Sequence, residues 1–279
     1  LAATMALSLF AGCGSSKDTA TEDTSKTEST DTADDSSEDA SAETTDESSR
    51  TTFTVGFDAE YPPYGYMDDD GEYTGFDLEL AQAVCDKEGW ELVKKPINWD
   101  SKDMELNSGS IDCIWNGFTM NGREDEYTWT EPYLDNQQVF VVRADSGINS
   151  EKDLAGKTVD VQTDSSAEAA LKDNTELSST FSTEIIPDYN TGFMNLESGA
   201  VDAVAMDIVV AKYQIESRSA EFKILDYEIA SEQYGVGLAK GNDAVKDQVQ
   251  KTLEEMAADG TLAKISTKWF GEDITTIGK

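Results

Sequence analysis

Leu106-Asn-Ser-Gly-Ser-Ile-Asp112 and Leu196-Glu-Ser-Gly-Ala-Val-Asp202 share one pattern, Leu-x-Ser-Gly-x-(Ile/Val)-Asp, ninety residues apart. Each runs on into a short apolar segment, Cys113-Ile-Trp115 in the first copy and Ala203-Val-Ala-Met206 in the second. Each copy reads as the end of a helix, a glycine turn, an acidic turn residue and a buried strand. A helix-turn-strand unit used twice predicts two similar lobes. The copies diverge after their strands. The first continues through Asn116, Gly117 and Thr119 to Arg123, whereas the second reaches Asp207. Ligands of open α/β sheets bind beyond the carboxyl ends of the strands. One lobe would therefore offer a cation and hydroxyls, the other a carboxylate.

Outward from the repeat, strand and helix patterns alternate. Strands are expected over 53–57, 91–95, 113–115, 138–143, 158–162, 184–186, 203–206 and 234–239. Helices are expected over 78–87 with Asp77 as cap, over 102–107, after Ser165-Ser166, over 208–216, over 243–258 with Gly260 as stop, and from there to Phe270. Asp70-Gly71 signals a hairpin turn. The pattern is α/β. One segment, 138–143, leads out of the first lobe, and 231–238 is the candidate for the return. A link that crosses twice suits a hinge, because the lobes swing but do not drift apart. The organisation expected is lobe 1 over 52–142 plus 233–279 and lobe 2 over 143–232.

Ahead of these lobes the composition changes. Residues 1–13 are apolar and small, too short to span a bilayer, and read as a truncated secretory signal. They end Leu9-Phe-Ala-Gly-Cys13, which resembles a bacterial lipobox with Phe10 in the usual Leu position and Cys13 as the lipidated residue. Residues 14–51 hold twelve acidic and three basic residues and neither an aromatic nor a large aliphatic one. Such a stretch cannot bury enough surface to offset its ordering entropy, so it reads as a disordered, self-repelling tether. The chain as a whole carries a net charge of −36, which argues against nucleic acid and anionic lipid as partners. It contains no His, which excludes His-based triads and most catalytic zinc sites. No metal site and no cofactor is expected; Asp68-Asp69-Asp70 lacks the spacing of a calcium loop. Cys85 and Cys113 fall on apolar faces and read as core thiols, with a disulfide between them as the alternative.

Several residues could carry chemistry. The Arg123 fork suits a carboxylate, or pairs at the surface with Glu124 or Asp125. Asn116, Gly117 and Thr119 are either site residues or an ordinary strand-to-loop turn. Gln162-Thr163-Asp164-Ser165-Ser166 precedes a helix whose free N–H groups make an anion site, or a plain cap, or both. Asp207 caps the next helix or receives an ammonium. Asp58, Tyr61, Tyr64 and Trp99 form an acidic and aromatic set that could hold a ligand side chain, or pack around Pro62 and Pro63.

Seven motifs then occur in a telling order: Val55-Gly-Phe-Asp-Ala-Glu-Tyr-Pro-Pro-Tyr64, Gly75-Phe-Asp-Leu-Glu-Leu-Ala81, Gly117-Phe-Thr119, Arg123, Thr130-Glu-Pro-Tyr133, Gln162-Thr-Asp-Ser-Ser-Ala167 and Met256-Ala-Ala-Asp-Gly260. Over residues 53–271 the chain resembles the family 3 extracellular solute-binding proteins of bacterial polar amino-acid ABC importers, of the lipoprotein type. The resemblance implies a two-lobed, type II periplasmic-binding-protein fold with a two-strand hinge. It implies a monomer, not an enzyme, that captures a free L-amino acid by lobe closure. The closed form would deliver the amino acid to an importer's permease and ATPase at the outer face of the cell membrane. Arg123 would grip the α-carboxylate with help from Thr119, Thr163, Ser165 and Ser166. Asn116 and Gly117 would also bind, and Asp207 would take the α-ammonium. Tyr61 and Trp99 would flank the side chain, with Asp58 near its polar end, which favours a cationic or amide side chain. Two departures stand out. One residue fewer separates Thr119 from Arg123, and Asp164 stands where the family commonly has Gly. Two other readings remain: a small-carboxylate lyase or dehydratase on the same fold, with Asp58 or Glu60 as acid or base, and a sensory ligand-binding protein.

Overall fold

The structure, a computed structural model, describes residues 50–218 and 221–279. Cys13 and the tether up to residue 49 lie outside the described residues. The first stretch runs β1 (Thr52–Phe57), β2 (Glu60–Tyr61), β3 (Gly65–Met67), β4 (Tyr73–Thr74), α1 (Phe76–Glu88), β5 (Glu91–Pro96), α2 (Lys102–Asn107), β6 (Cys113–Ile114) and β7 (Thr128–Trp129). The second runs β8 (Leu134–Arg143), β9 (Thr158–Gln162), α3 (Ser166–Asp173), α4 (Thr175–Ser178), β10 (Ser182–Ile186), α5 (Tyr189–Ser198), β11 (Ala203–Asp207), α6 (Ile208–Ser217) and β12 (Phe222–Tyr234). Then follow β13 (Gly237–Leu238), α7 (Asp243–Ala258) and α8 (Thr261–Phe270). Among the described residues no helix is long and apolar enough to cross a membrane.

Two five-stranded sheets result, in the orders β5-β1-β6-β13-β7 and β10-β9-β11-β8-β12, together with a small β2-β3-β4 sheet. In the first, β1 runs parallel to β5 and β6. In the second, β9 runs parallel to β10 and β11, while β8 is antiparallel to β11 and β12. The fold is α/β with two lobes.

The repeated heptapeptide builds the same joint in both sheets. Leu106 and Leu196 are buried, and Gly109 and Gly199 take left-handed φ of 71° and 75° to turn out of their helices. The Asp112 N–H donates to the Thr54 carbonyl at 2.8 Å while its carboxylate accepts the Thr54 N–H at 2.7 Å. Asp202 does the same with Thr158, at 2.9 and 3.0 Å. The acidic residue of the repeat therefore docks each copy's strand onto its parallel neighbour, β6 onto β1 and β11 onto β9.

Both faces of the second sheet are covered, as its apolar runs require. Val139, Val141, Val204 and Met206 pack into the larger core with α5 and α6, whereas Phe140, Val142, Ala203 and Ala205 face a second core with Val159, Val161 and Leu171. The larger core continues into the first sheet through Phe53, Val55, Phe57 and helices α1, α7 and α8.

The chain crosses between the sheets twice, from β7 into β8 and from β12 into β13. The return strand departs from expectation. It begins at Phe222 and not near Ser231, and it breaks at Gly235-Val236. Residues 222–230 hide their strand character because β12 is an edge strand with two register shifts, which destroys simple alternation. Asp77 is also corrected. Gly75 occupies the cap position of α1, and Asp77 is wholly buried, accepting the Gly117 N–H at 2.6 Å and the Tyr133 hydroxyl at 2.9 Å. Cys85 and Cys113 are buried free thiols.

Candidate functional site

A small cavity lies where the carboxyl ends of β1, β6, β9 and β11 meet. Asp58 follows β1, Asn116 follows β6, Gln162 ends β9 and Asp207 ends β11. All four line the cavity and all are buried. Strand topology thus collects residues from far apart in the chain, as open α/β sheets do.

One end of the cavity is built for negative charge. Arg123 has no carboxylate partner among the described residues; its guanidinium donates to the carbonyls of Thr119 at 3.3 Å and Asp164 at 3.1 Å and lies over the Phe118 ring. The pairing with Glu124 or Asp125 is not formed. Ser165 is the N-cap of α3, accepting the Glu168 N–H at 3.1 Å, and Ser166 Oγ accepts from Thr119 and Gln138. Backbone N–H groups at this helix start add positive potential. Gly117, with φ 53°, brings backbone against the cavity; a Cβ there would sit 3.0 Å from the Tyr61 ring.

The opposite wall is acidic. Asp207 stands at the N-cap position of α6 but makes no side-chain cap bond. Its carboxylate instead accepts from Asn136 at 2.7 Å, from Gln138 at 2.8 Å and from the Tyr234 hydroxyl. Burial, then the nearby Glu232 carboxylate, push its protonation upward. Asp58 accepts the Glu60 N–H at 2.9 Å and the Gln162 amide at 2.8 Å. Burial raises it to about 6 despite those bonds. Its own N–H donates to Asn116 Oδ1 at 3.0 Å, and Asn116 Nδ2 has no partner.

Aromatic faces close the sides. Tyr61 lies between Tyr64 and Tyr189, with centroids 5.8 and 5.9 Å away. The Trp99 indole donates to the Asp164 carbonyl at 3.2 Å, so its plane is held across the cavity mouth. Asp164 has a left-handed φ of 53°, the conformation that favours glycine, and its carboxylate pairs with Lys102, whose side chain is only 1% exposed.

Of the residues expected at the site, Asp58, Tyr61, Trp99, Asn116, Gly117, Thr119, Arg123, Ser165, Ser166 and Asp207 line this one cavity. Thr163 does not; its N–H is spent on the Ile186 carbonyl at 2.9 Å. Gln162 and Tyr189 line it and went unrecognised. Gln162 is the last residue of a strand, a position that already marked its neighbours. Tyr189 has no signal in the local sequence, and only the placement of β10 beside β9 brings it to the site. The described residues contain no cluster of potential metal ligands.

An α/β fold whose two lobes converge on one small polar cavity is the architecture of extracellular solute-binding proteins. The family model for bacterial extracellular solute-binding proteins, family 3, matches residues 53–272, and the chain belongs to this family. The chain is 32% identical over 229 residues to the L-cystine-binding protein TcyJ of Escherichia coli strain K12, covering 81% of this chain and 85% of that one. It is 31% identical over 227 residues to the arginine-binding extracellular protein ArtP of Bacillus subtilis strain 168, covering 80% and 88%. A crystal structure of an ABC uptake transporter substrate-binding protein from Streptococcus pneumoniae with bound histidine superposes with TM-score 0.78 at 33% identity, covering 81% of this chain and 94% of that one.

Proposed function

We propose that this protein captures a free L-amino acid between its lobes and presents it to the permease and ATPase of an ABC importer. The observation that carries this reading is the arrangement of Arg123 and Asp207. One is a cation without a carboxylate partner among the described residues, the other a buried carboxylate, and both line a single cavity. A zwitterion satisfies both at once. Its carboxylate meets the Arg123 fork, Thr119 and the start of α3, and its ammonium meets Asp207. Asp58, the unpartnered Asn116 amide and Tyr61 would face the side chain, and their chemistry suits a cationic or amide group. The ligand stabilises closure because it contacts both lobes only when they meet. The swinging bodies would be residues 52–142 with 233–279, and 143–232. Lipidation of Cys13 would anchor the protein at the outer face of the cell membrane through the acidic tether.

The same geometry bears on the enzymatic alternative. Asp58, raised to about 6, has the protonation behaviour of a general acid or base. It is, however, held by the Glu60 N–H and the Gln162 amide, which favours a fixed binding role. Isothermal calorimetry of the purified protein against the proteinogenic amino acids and L-cystine tests the proposal. At least one should bind, unchanged after incubation, and Asp207→Ala should abolish the binding. Binding of none of them, or turnover of the bound compound, would refute it.

A further inference from the structure

Glu232 lies behind the cavity wall, on β12, and shares its hydrogen-bond donors with Asp207. The Asn136 amide donates to Asp207 Oδ1 at 2.7 Å and to Glu232 Oε1 at 2.6 Å. The Gln138 amide donates to the same two oxygens at 2.8 and 2.7 Å. Two carboxylate oxygens therefore converge on the same pair of nitrogens. Asp207 is 3% exposed and Glu232 5%.

Among the described residues no cation pairs with either carboxylate. Tyr234 on β12 donates to Asp207. Tyr61 and Tyr64 from the first sheet's side, and Tyr189 from α5, are neutral phenols whose ionisation burial suppresses. Asp58, which lines the same cavity as Asp207, is a further acid. Arg123 keeps its charge, but its guanidinium reaches the Thr119 and Asp164 carbonyls and neither carboxylate of the pair. Lys212 of α6 shares an outer groove with Glu232, without an ion pair to it among the described residues. Two acids this close in a dry site do not both ionise without a cation, and one proton held in common resolves the repulsion.

We infer that Glu232 is the second carboxylate of the ammonium site, that in the unliganded protein it shares one proton with Asp207, and that an arriving ammonium displaces this proton to solvent. This rests on the reading that Asp207 receives the ligand's ammonium. The exchange conserves charge. The pair carries −1 with its proton, and the ionised pair with a bound ammonium again sums to −1, so no net charge is moved into the buried wall. Glu232 acts through Asp207 and is a positioning residue for it.

Calorimetry of the full protein with the proteinogenic L-amino acids and L-cystine, at about pH 6 in two buffers of different ionisation heat, tests the inference. The binding amino acid should release close to one proton, and its affinity should fall about tenfold per pH unit below neutrality. Glu232→Gln should weaken binding at about pH 8, yet release clearly less proton and show a flatter pH profile. Any proton from Asp58 is common to both proteins, so the difference isolates the pair. A Glu232 that merely braced Asn136 and Gln138 would lower affinity equally at every pH and leave the release intact. Unchanged release in Glu232→Gln, or no release by the wild type, overturns the inference. Absence of any binding, or binding that survives Asp207→Ala, instead overturns the amino-acid reading beneath it. Carboxyl-carbon NMR of the unliganded wild type gives a readout independent of the variant. One of the two carboxyls should remain protonated at about pH 6, and both ionised would contradict the shared proton.

Discussion

Asp77 shows how a buried acid can serve the site without touching its contents. It holds the Gly117 N–H and the Tyr133 hydroxyl, and Gly117 in turn lines the cavity with a left-handed backbone. Asp77→Ala leaves both donors unsatisfied in the core, and we expect a loss of about 2 kcal/mol of stability together with weaker ligand binding. Chemical denaturation and calorimetry on one preparation would check this; unaltered stability would show that the two donors find other partners. Residue chemistry was only half legible in the sequence. Arg123, Thr119 and Asp207 were flagged by their places after the two repeat strands. Asp77, immediately before the apolar helix positions that start at Leu78, looked like a cap, because capping and core acids share the same local signature. Glu232 and Tyr189 carried no local signal at all. Their roles depend on pairing between β8 and β12 and between β9 and β10, which no neighbour in sequence announces.

The repeated helix-turn-strand unit was the most readable element, because its turn chemistry is local. Gly109 and Gly199 need left-handed backbone, and Asp112 and Asp202 each grip one residue of the neighbouring strand, Thr54 and Thr158, through a backbone and a side-chain bond. Each Asp also has a cationic partner, Arg50 for Asp112 and Lys157 for Asp202. These exposed ion pairs contribute little, whereas the bond to the strand N–H is worth about 1 kcal/mol. Asp112→Ala and Asp202→Ala should therefore destabilise the protein by similar amounts, about 1–2 kcal/mol, and Asn at either position should recover part of the loss. Thermal unfolding of the four variants would show it; a large cost at one site and none at the other would mean that the copies are alike in sequence only. The edge strand β12 was read too short for the opposite reason. With one side unpaired and two register shifts, its polar and apolar residues follow no single period.

Contacts around the cavity join residues of the first sheet's loops to residues at the ends of the second sheet's strands. Asp164 receives Lys102 on its carboxylate and both Trp99 and Arg123 on its carbonyl, while Asp58 meets Gln162 and Glu60 meets Asn190. Asp164 holds a backbone conformation that glycine adopts without strain, and the ion pair with the buried Lys102 offsets that cost. Asp164→Gly would leave an unpaired ammonium in the closed form only. Stopped-flow dissociation should be about tenfold faster than wild type, and an unchanged rate would show that Lys102 does not hold the lobes together. Protonation acts on the whole molecule as well. Burial raises Asp58 to about 6 and Asp77 to about 7, above their unfolded values. Between about pH 4 and 7 the folded protein thus binds more protons than the unfolded chain, so these groups make stability rise as pH falls through that window. The net charge of −36 adds repulsion of the same sign. The unfolding midpoint should be higher at about pH 5 than at about pH 8, and a midpoint that only falls on acidification would contradict this. The central claim is that Arg123 and Asp207 together select a zwitterion. It is tested most directly by comparing, in one calorimetric series, the affinity of the bound amino acid with those of its decarboxylated amine and its deaminated acid. Both truncated compounds should bind at least about a hundredfold more weakly, each leaving one charge of the site unmatched; retention of full affinity by either would show that one of the two charges does not face the ligand.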